Sequence, residues 1–186
     1  MNRRNFLASL TVIALLSALS LSATTIVPMS VERLTHASTS VVVAQAADSW
    51  TEWNADRTLV FTITRFNVSQ SLKGAADRTV TVRQMGGRAE HYEQKVAGVR
   101  HWQSGEQAVL FLRPSEAGDG TMAVTGLMQG DFRVVEAADQ PGKVMVSNGV
   151  VGVHAFDPAN KVVSEYSGTR MTLEDLQSRV RKAVQP

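Results

Sequence analysis

The chain has no cysteine. That excludes a disulfide framework, a thiol nucleophile and a lipid anchor on an N-terminal cysteine, so the hydrophobic core has to hold the fold unaided. An excess of either charge sign is missing too: 19 Lys and Arg face 17 Asp and Glu, and two of the basic residues, Arg3 and Arg4, fall in a targeting segment. The remainder is close to neutral, without the concentrated basic face that a nucleic-acid partner requires. Internal repeats and low-complexity tracts are also lacking beyond the first segment, and no Gly-x-Ser-x-Gly elbow marks a nucleophile.

The one long apolar run stands at the start. Phe6 to Leu21 follows Arg3 and Arg4, and small residues behind it offer cleavage after Ser20 or Ser22, so residues 1–22 are expected to be a signal peptide. An uncleaved membrane anchor reaching Val27 is the competing reading, because about 20 apolar residues suffice to span a bilayer. Arg3, Arg4, Phe6 and Leu7 also resemble the twin-arginine export motif, although Asn2 and Ala8 depart from it. The general secretory and twin-arginine routes lead to the same side of the membrane. The expected location is periplasmic or secreted, with membrane contact only through this segment if it stays uncleaved.

The 186-residue length then leaves room for one domain, expected over residues 30–186. Ser30 to Thr39 reads as a short helix capped by Ser30. Val41 to Ala44 is an apolar β-branched run suited to a strand buried on both faces and continuing toward Trp53, and Asn54-Ala55-Asp56-Arg57 supplies a turn. In the strand Thr58 to Leu72, Leu59, Phe61 and Ile63 alternate in one phase, while Phe66, Val68 and Leu72 take the other, which predicts a bulge near Thr64-Arg65. Thr79 to Gln84 continues the sheet, with Val80 and Val82 inward. Residues from Gly86 to Gly105 follow neither period and read as a long loop. Ala108 to Leu112 is apolar on both faces and predicts a central strand, with Met122 to Met128 adjoining it and Phe132 to Val135 after a tight connection. A weak hairpin is expected over Pro141 to Val153, turning at Asn148-Gly149. Thr172 to Val184 predicts a helix with Thr172 as its cap, Asp175 completing a capping box, and Leu173, Leu176, Val180 and Val184 as an apolar stripe.

Taken together, VVVAQA, WNADRTLVFTITRFNVSQSLKG, TVTVRQMGG, GEQAVLFLR and GLMQGDFRVV resemble uncharacterised bacterial exported proteins. More distantly, over about residues 34–136, they are similar to the netrin-like domains of tissue inhibitors of metalloproteases. The resemblance implies a mainly β fold: a small closed or partly open five-stranded barrel of the oligonucleotide-binding type, with a short N-terminal helix and a C-terminal helix packed on it. Those inhibitors hold zinc through a disulfide-bonded N-terminal cysteine. This chain has none, so no functional residue carries over.

Within the Gly86–Gly105 loop, His91, Glu93 and His101 are the candidate metal ligands, at a spacing that matches no zinc signature. Arg83, Arg88, Arg100 and Trp102 surround the same loop; Trp102 either offers a stacking surface to a ligand or covers the barrel mouth. Trp50 and Trp53, three apart on a strand, cannot share a face, so one is expected in the core and the other exposed. These features support a non-enzymatic binding module without a cofactor, contacting a protein or cell-envelope partner through Trp53, Arg88, Arg100 and Trp102. A metal-dependent hydrolase built on His91, Glu93 and His101, and a structural envelope component, are the alternatives.

Overall fold

The fold was obtained as a computed structural model that describes residues 24–75, 77–137, 141–149 and 153–185; the expected signal peptide lies outside them. The elements are β1 (Thr24–Ile26), α1 (Val31–Ala37), β2 (Ser40–Trp53), β3 (Val60–Lys73), β4 (Thr79–Met85), β5 (Gly87–Ala89), β6 (Tyr92–Gln94), β7 (Gln107–Pro114), β8 (Met122–Val124), β9 (Asp131–Glu136), β10 (Val144–Ser147), β11 (Val153–Asp157), β12 (Val162–Glu165), β13 (Arg170–Thr172) and α2 (Leu173–Val184). The chain is mainly β, with one helix near each end, as expected.

β2 and β3 form the longest hairpin. Asn54 makes its turn: the side-chain carbonyl accepts from the Thr58 and Leu59 amides at 2.8 and 2.9 Å, which is the local bonding that favours asparagine in turns. The main sheet runs β13-β10-β9-β7-β2-β3-β4-β8, and β8 also pairs with β7, so the sheet folds back on itself and is partly closed. One parallel pair, Val82 with Met122, joins β8 to β4.

The apolar runs in β2 and β7 lie at the centre because they have no polar side to give to water. Val42, Ala44, Ala108, Leu110 and Leu112 point inside the closed part with Phe66, Val82 and Val124. Val41, Val43, Val109 and Phe111 point outward onto Phe132 and Val146, beneath the two helices. Period-two alternation thus builds a core on each side of the same two strands.

The helices close the outer core. Ser30 Oγ accepts from the Arg33 amide at 3.2 Å, and Thr172 Oγ1 accepts from the Asp175 amide at 3.0 Å. Leu34 of α1 and Leu176 and Val180 of α2 are buried, but Val184, placed in the same stripe from sequence, stays exposed. Arg179 reaches past Asp175 and grips Glu32 of α1 in a two-point ion pair at 2.7 and 2.8 Å. Lys73, at the end of β3, donates to the Thr35 and Ser38 carbonyls at 2.6 and 2.7 Å and so satisfies the C-terminal turn of α1.

Three expectations are corrected. From Val60 to Phe66 β3 makes no slip: Val60, Thr62, Thr64 and Phe66 are all buried, the two threonines holding inward places that the hydrophobic pattern left blank, and Ile63 of the other phase is buried as well. The irregularity opposite Arg65 is on β2, where the register steps between Ala46 and Asp48, and the further steps lie between Val41 and Val42 and between Val43 and Ala44. The strand after Met122 ends at Val124, because Gly126 and Leu127 turn with φ of 67° and 58° into a 3-10 turn over Leu127–Gly130. The hairpin at Asn148-Gly149 is not formed: β10 pairs with β9 and β13, whereas β11 belongs to a separate sheet, β1-β11-β12. Buried Asn148 redirects the chain there, donating to the Gln129 carbonyl at 2.6 Å and accepting from the Thr169 amide at 2.7 Å. β1, ahead of residue 30, pairs in parallel with β11.

The Arg179 guanidinium holds the Glu32 carboxyl down from its ordinary 4.5 to about 2. A depressed acid stabilises the fold above its unfolded value, and the contribution is lost as pH falls from about 4.5 to about 2. Both side chains are more than a third exposed, so solvent screening limits the effect to about 0.5–1 kcal/mol. Glu32→Gln should therefore lower the urea midpoint at pH 6, and the deficit should close by pH 2 to 3 and shrink in high salt.

Candidate functional site

The stretch from Gly86 to Gly105, expected as an irregular loop, contains a two-stranded ribbon. Leaving β4, the chain turns back at Gly86 and Gly87 with φ of 96° and 133°. A side chain at Gly87 would collide with Thr62 Oγ1. β5 and β6 then pair, Arg88 opposite Glu93 and Ala89 opposite Tyr92, around a turn at Glu90 and His91. Hydrogen bonds fasten the ribbon to the β2–β3 hairpin. Thr62 Oγ1 donates to the Gly86 carbonyl at 2.7 Å, the Gly86 amide to Val60 O at 2.7 Å, Thr51 Oγ1 to Arg88 O at 2.7 Å, and the Val60 amide to Gln94 Oε1 at 2.9 Å.

Two segments that the sequence keeps far apart therefore end in one surface. The rings of Trp53 and Tyr92 lie 5.3 Å apart at 31°. The Arg57 guanidinium sits 5.9 Å from the Trp53 ring centre and pairs with Glu90 at 2.8 Å. Tyr92 is 47% exposed, and Arg88 is largely in solvent. Trp53 is half-buried beneath Tyr92, and its indole nitrogen has no hydrogen-bond partner among the described residues. Trp50 points to the opposite face, 41% exposed, and donates to Glu52 at 2.6 Å. Neither tryptophan is a core residue, contrary to the expectation for one of them.

A cleft of about 440 Å³ runs beside the ribbon between Arg88, Glu93, Lys95, Val96 and His101. Burial lowers the His101 pKa from its ordinary 6.5, against the opposing contact of its Nε2 with Met85 O at 3.4 Å. The imidazole is consequently neutral at pH 7. Glu93 faces Arg88 at 3.6 Å and Lys95 at 3.5 Å, and His91 is exposed at the ribbon turn. Among the described residues, no three of His, Asp and Glu stand close enough to share a metal ion.

Arg100 and Trp102 belong to a different, interior arrangement. Arg100 donates through Nε and Nη2 to Asp131 at 3.1 and 2.8 Å, and through Nη1 to Glu106 at 2.8 Å. Trp102 is only 3% exposed; it meets Phe66 edge-on at 4.8 Å and donates to Asp131 at 3.1 Å. Its ring thus closes the inner core and offers no stacking surface, which removes it from the expected contact set. Burial pushes the Asp131 carboxyl up from its ordinary value, opposed by Arg100 and the Trp102 indole.

No protein-family model matches this sequence, and no curated protein is significantly similar to it. The functional reading therefore rests on the geometry. Of the four residues expected at a contact surface, Trp53 lies at the hairpin tip under Tyr92, Arg88 lies on the neighbouring ribbon and pairs with Glu93 on the face opposite Tyr92, and Arg100 and Trp102 are withdrawn into the body. Tyr92 and Arg57 complete the tip. Tyr92 could have been found from sequence only by recognising Gly86-Gly87 as a reversal, because ribbons this short carry no usable alternation.

Two outcomes follow from this geometry. Gly87→Ala should lift the ribbon from Thr62, lowering stability by about 1–3 kcal/mol and shifting tryptophan emission, with faster amide exchange at residues 87–94 but not in β7. Asp131→Asn leaves the nearly buried Arg100 short of a counter-charge and should cost about 3–5 kcal/mol in urea unfolding.

Proposed function

We propose that this protein is an exported, non-enzymatic binding module, periplasmic or secreted, which holds a protein partner of the bacterial envelope through the tip formed by the β2–β3 hairpin and the β5–β6 ribbon. The observation that carries this reading is the Trp53–Tyr92–Arg57 cluster at that tip. Trp, Tyr and Arg are the residues in which binding energy concentrates at protein interfaces, and a rigid aromatic pair loses little entropy when it is covered. Here the pair is held by hydrogen bonds to the hairpin, so it is organised before any partner arrives. Charges around the tip occur in opposed pairs, Arg57 with Glu90 and Arg88 with Glu93. That balance favours an amphipathic protein surface over a strongly charged polymer and agrees with the near-neutral composition.

The same proposal extends to the scaffold. The circuit β7-β2-β3-β4-β8 and back to β7 supports a five-stranded barrel of the oligonucleotide-binding, netrin-like type, with β9, β10 and β13 as an added wing. Such barrels carry many unrelated functions, so the scaffold itself assigns none.

The test is a crosslinked pull-down from the native envelope fraction with wild type, Tyr92→Ala and Arg88→Glu. Each variant should lose capture of one envelope protein by about tenfold or more, the loss typical of a hot-spot residue, while its thermal midpoint stays within 2 °C or so of wild type, as surface changes usually leave it. Undiminished capture by both variants would place the contact elsewhere. Stoichiometric metal in the purified protein, lost on His91→Ala, would favour the hydrolase reading instead.

A further inference from the structure

β1 is attached unlike the other strands. It lies at the edge of a small sheet apart from the main one, paired along three residues with β11: Thr24 with Val153, Thr25 with His154 and Ile26 with Ala155. Ile26 anchors it, buried against Met128, Val153, Ala155 and Tyr166. The other grip is on backbone. The side chain of Gln129, 3% exposed, accepts from the Met29 amide at 2.7 Å and donates to the Val27 carbonyl at 3.2 Å. Between those two points Val27 and Pro28 are exposed. Proline fixes its own φ and holds the preceding residue extended, so this connector to α1 is a stiff arm.

If β1 lifts away, the body keeps an apolar trough, an open β11 edge and a buried amide with both ends unsatisfied. Each of those is costly in water, and each is relieved by an extended strand in the same register. The trough reads one aliphatic side chain, and Gln129 reads backbone groups one and three residues beyond it, whatever their side chains. The strand that meets these terms is Thr24–Ile26 with its connector, and every copy of the chain carries one on an arm that favours extension over folding back. We propose that β1 is an exchangeable strand: two copies of this protein trade it reciprocally, each filling the other's β11 groove with the contacts seen within one chain.

The absence of native cysteine allows a direct test. Neighbouring strands lie about 4.8 Å apart, within disulfide reach, so Thr25→Cys and His154→Cys place two thiols opposite one another. The full chain carrying both substitutions should oxidise to an intramolecular disulfide, which checks the register. Mixing a copy carrying only Thr25→Cys with one carrying only His154→Cys should then yield a disulfide heterodimer. It should exceed, by about tenfold, that of a control pair in which His154→Cys is replaced by Glu174→Cys, because a docked strand holds its thiol at millimolar effective concentration. Heterodimer no greater than control, while the doubly substituted chain crosslinks within itself, would overturn the exchange. Failure of the doubly substituted chain to crosslink would overturn the register on which it rests.

Discussion

Everything in this fold answers to one constraint: β7 has no polar face. All five residues from Ala108 to Leu112 are shut away from solvent, and a strand of that composition must be covered above and below. The closing of β8 against β7 and β4 covers one side. The two helices, brought together by Glu32 and Arg179, cover the other. Without cysteine, these coverings do the work that disulfides perform in many small exported domains.

That constraint also explains what the sequence made legible. Runs such as Val41–Ala44 and Ala108–Leu112 announce themselves because burial on both faces leaves no ambiguity of phase, and the helix caps Ser30 and Thr172 announce themselves by their own hydrogen bonding. Phase became misleading where polar groups went inside. Thr64 is fully buried because its hydroxyl bonds to Ser49 at 2.8 Å, so a pattern scored by hydrophobicity saw a slip that β3 does not make. Asn148 misled in the opposite direction: Asn-Gly is a strong turn signal, but here the asparagine is a buried bracket between the 3-10 turn and the approach to β13.

The candidate site divides along the same line. Arg100 and Trp102 share one aperiodic stretch with Arg88, and sequence distance cannot separate a residue that faces out from one that faces in. Asp131, some thirty residues on, decides the matter by drawing the guanidinium and the indole together into the body. A buried pair of this kind rarely adds net stability over an apolar replacement. Its consequence is positional: the segment after the ribbon is fixed at Arg100 and Trp102, so the ribbon itself is anchored at both ends.

Anchoring at both ends is what turns a short ribbon into a usable surface. Two three-residue strands have too little area to order themselves in water. Once tied down by Gly86-Gly87 at one end and the Asp131 cluster at the other, they meet a hairpin tip that already carries Trp53. The ordering of Tyr92 against Trp53 is then accomplished by folding, and a partner that covers the pair does not have to supply it. The same reasoning separates the two ends of the molecule. The ribbon is held at both ends and presents a fixed face, whereas β1 meets the body through an edge pairing, the buried Ile26 and the Gln129 bracket on its connector. Both follow from how many points of attachment the core provides, and neither requires an unusual residue at the surface.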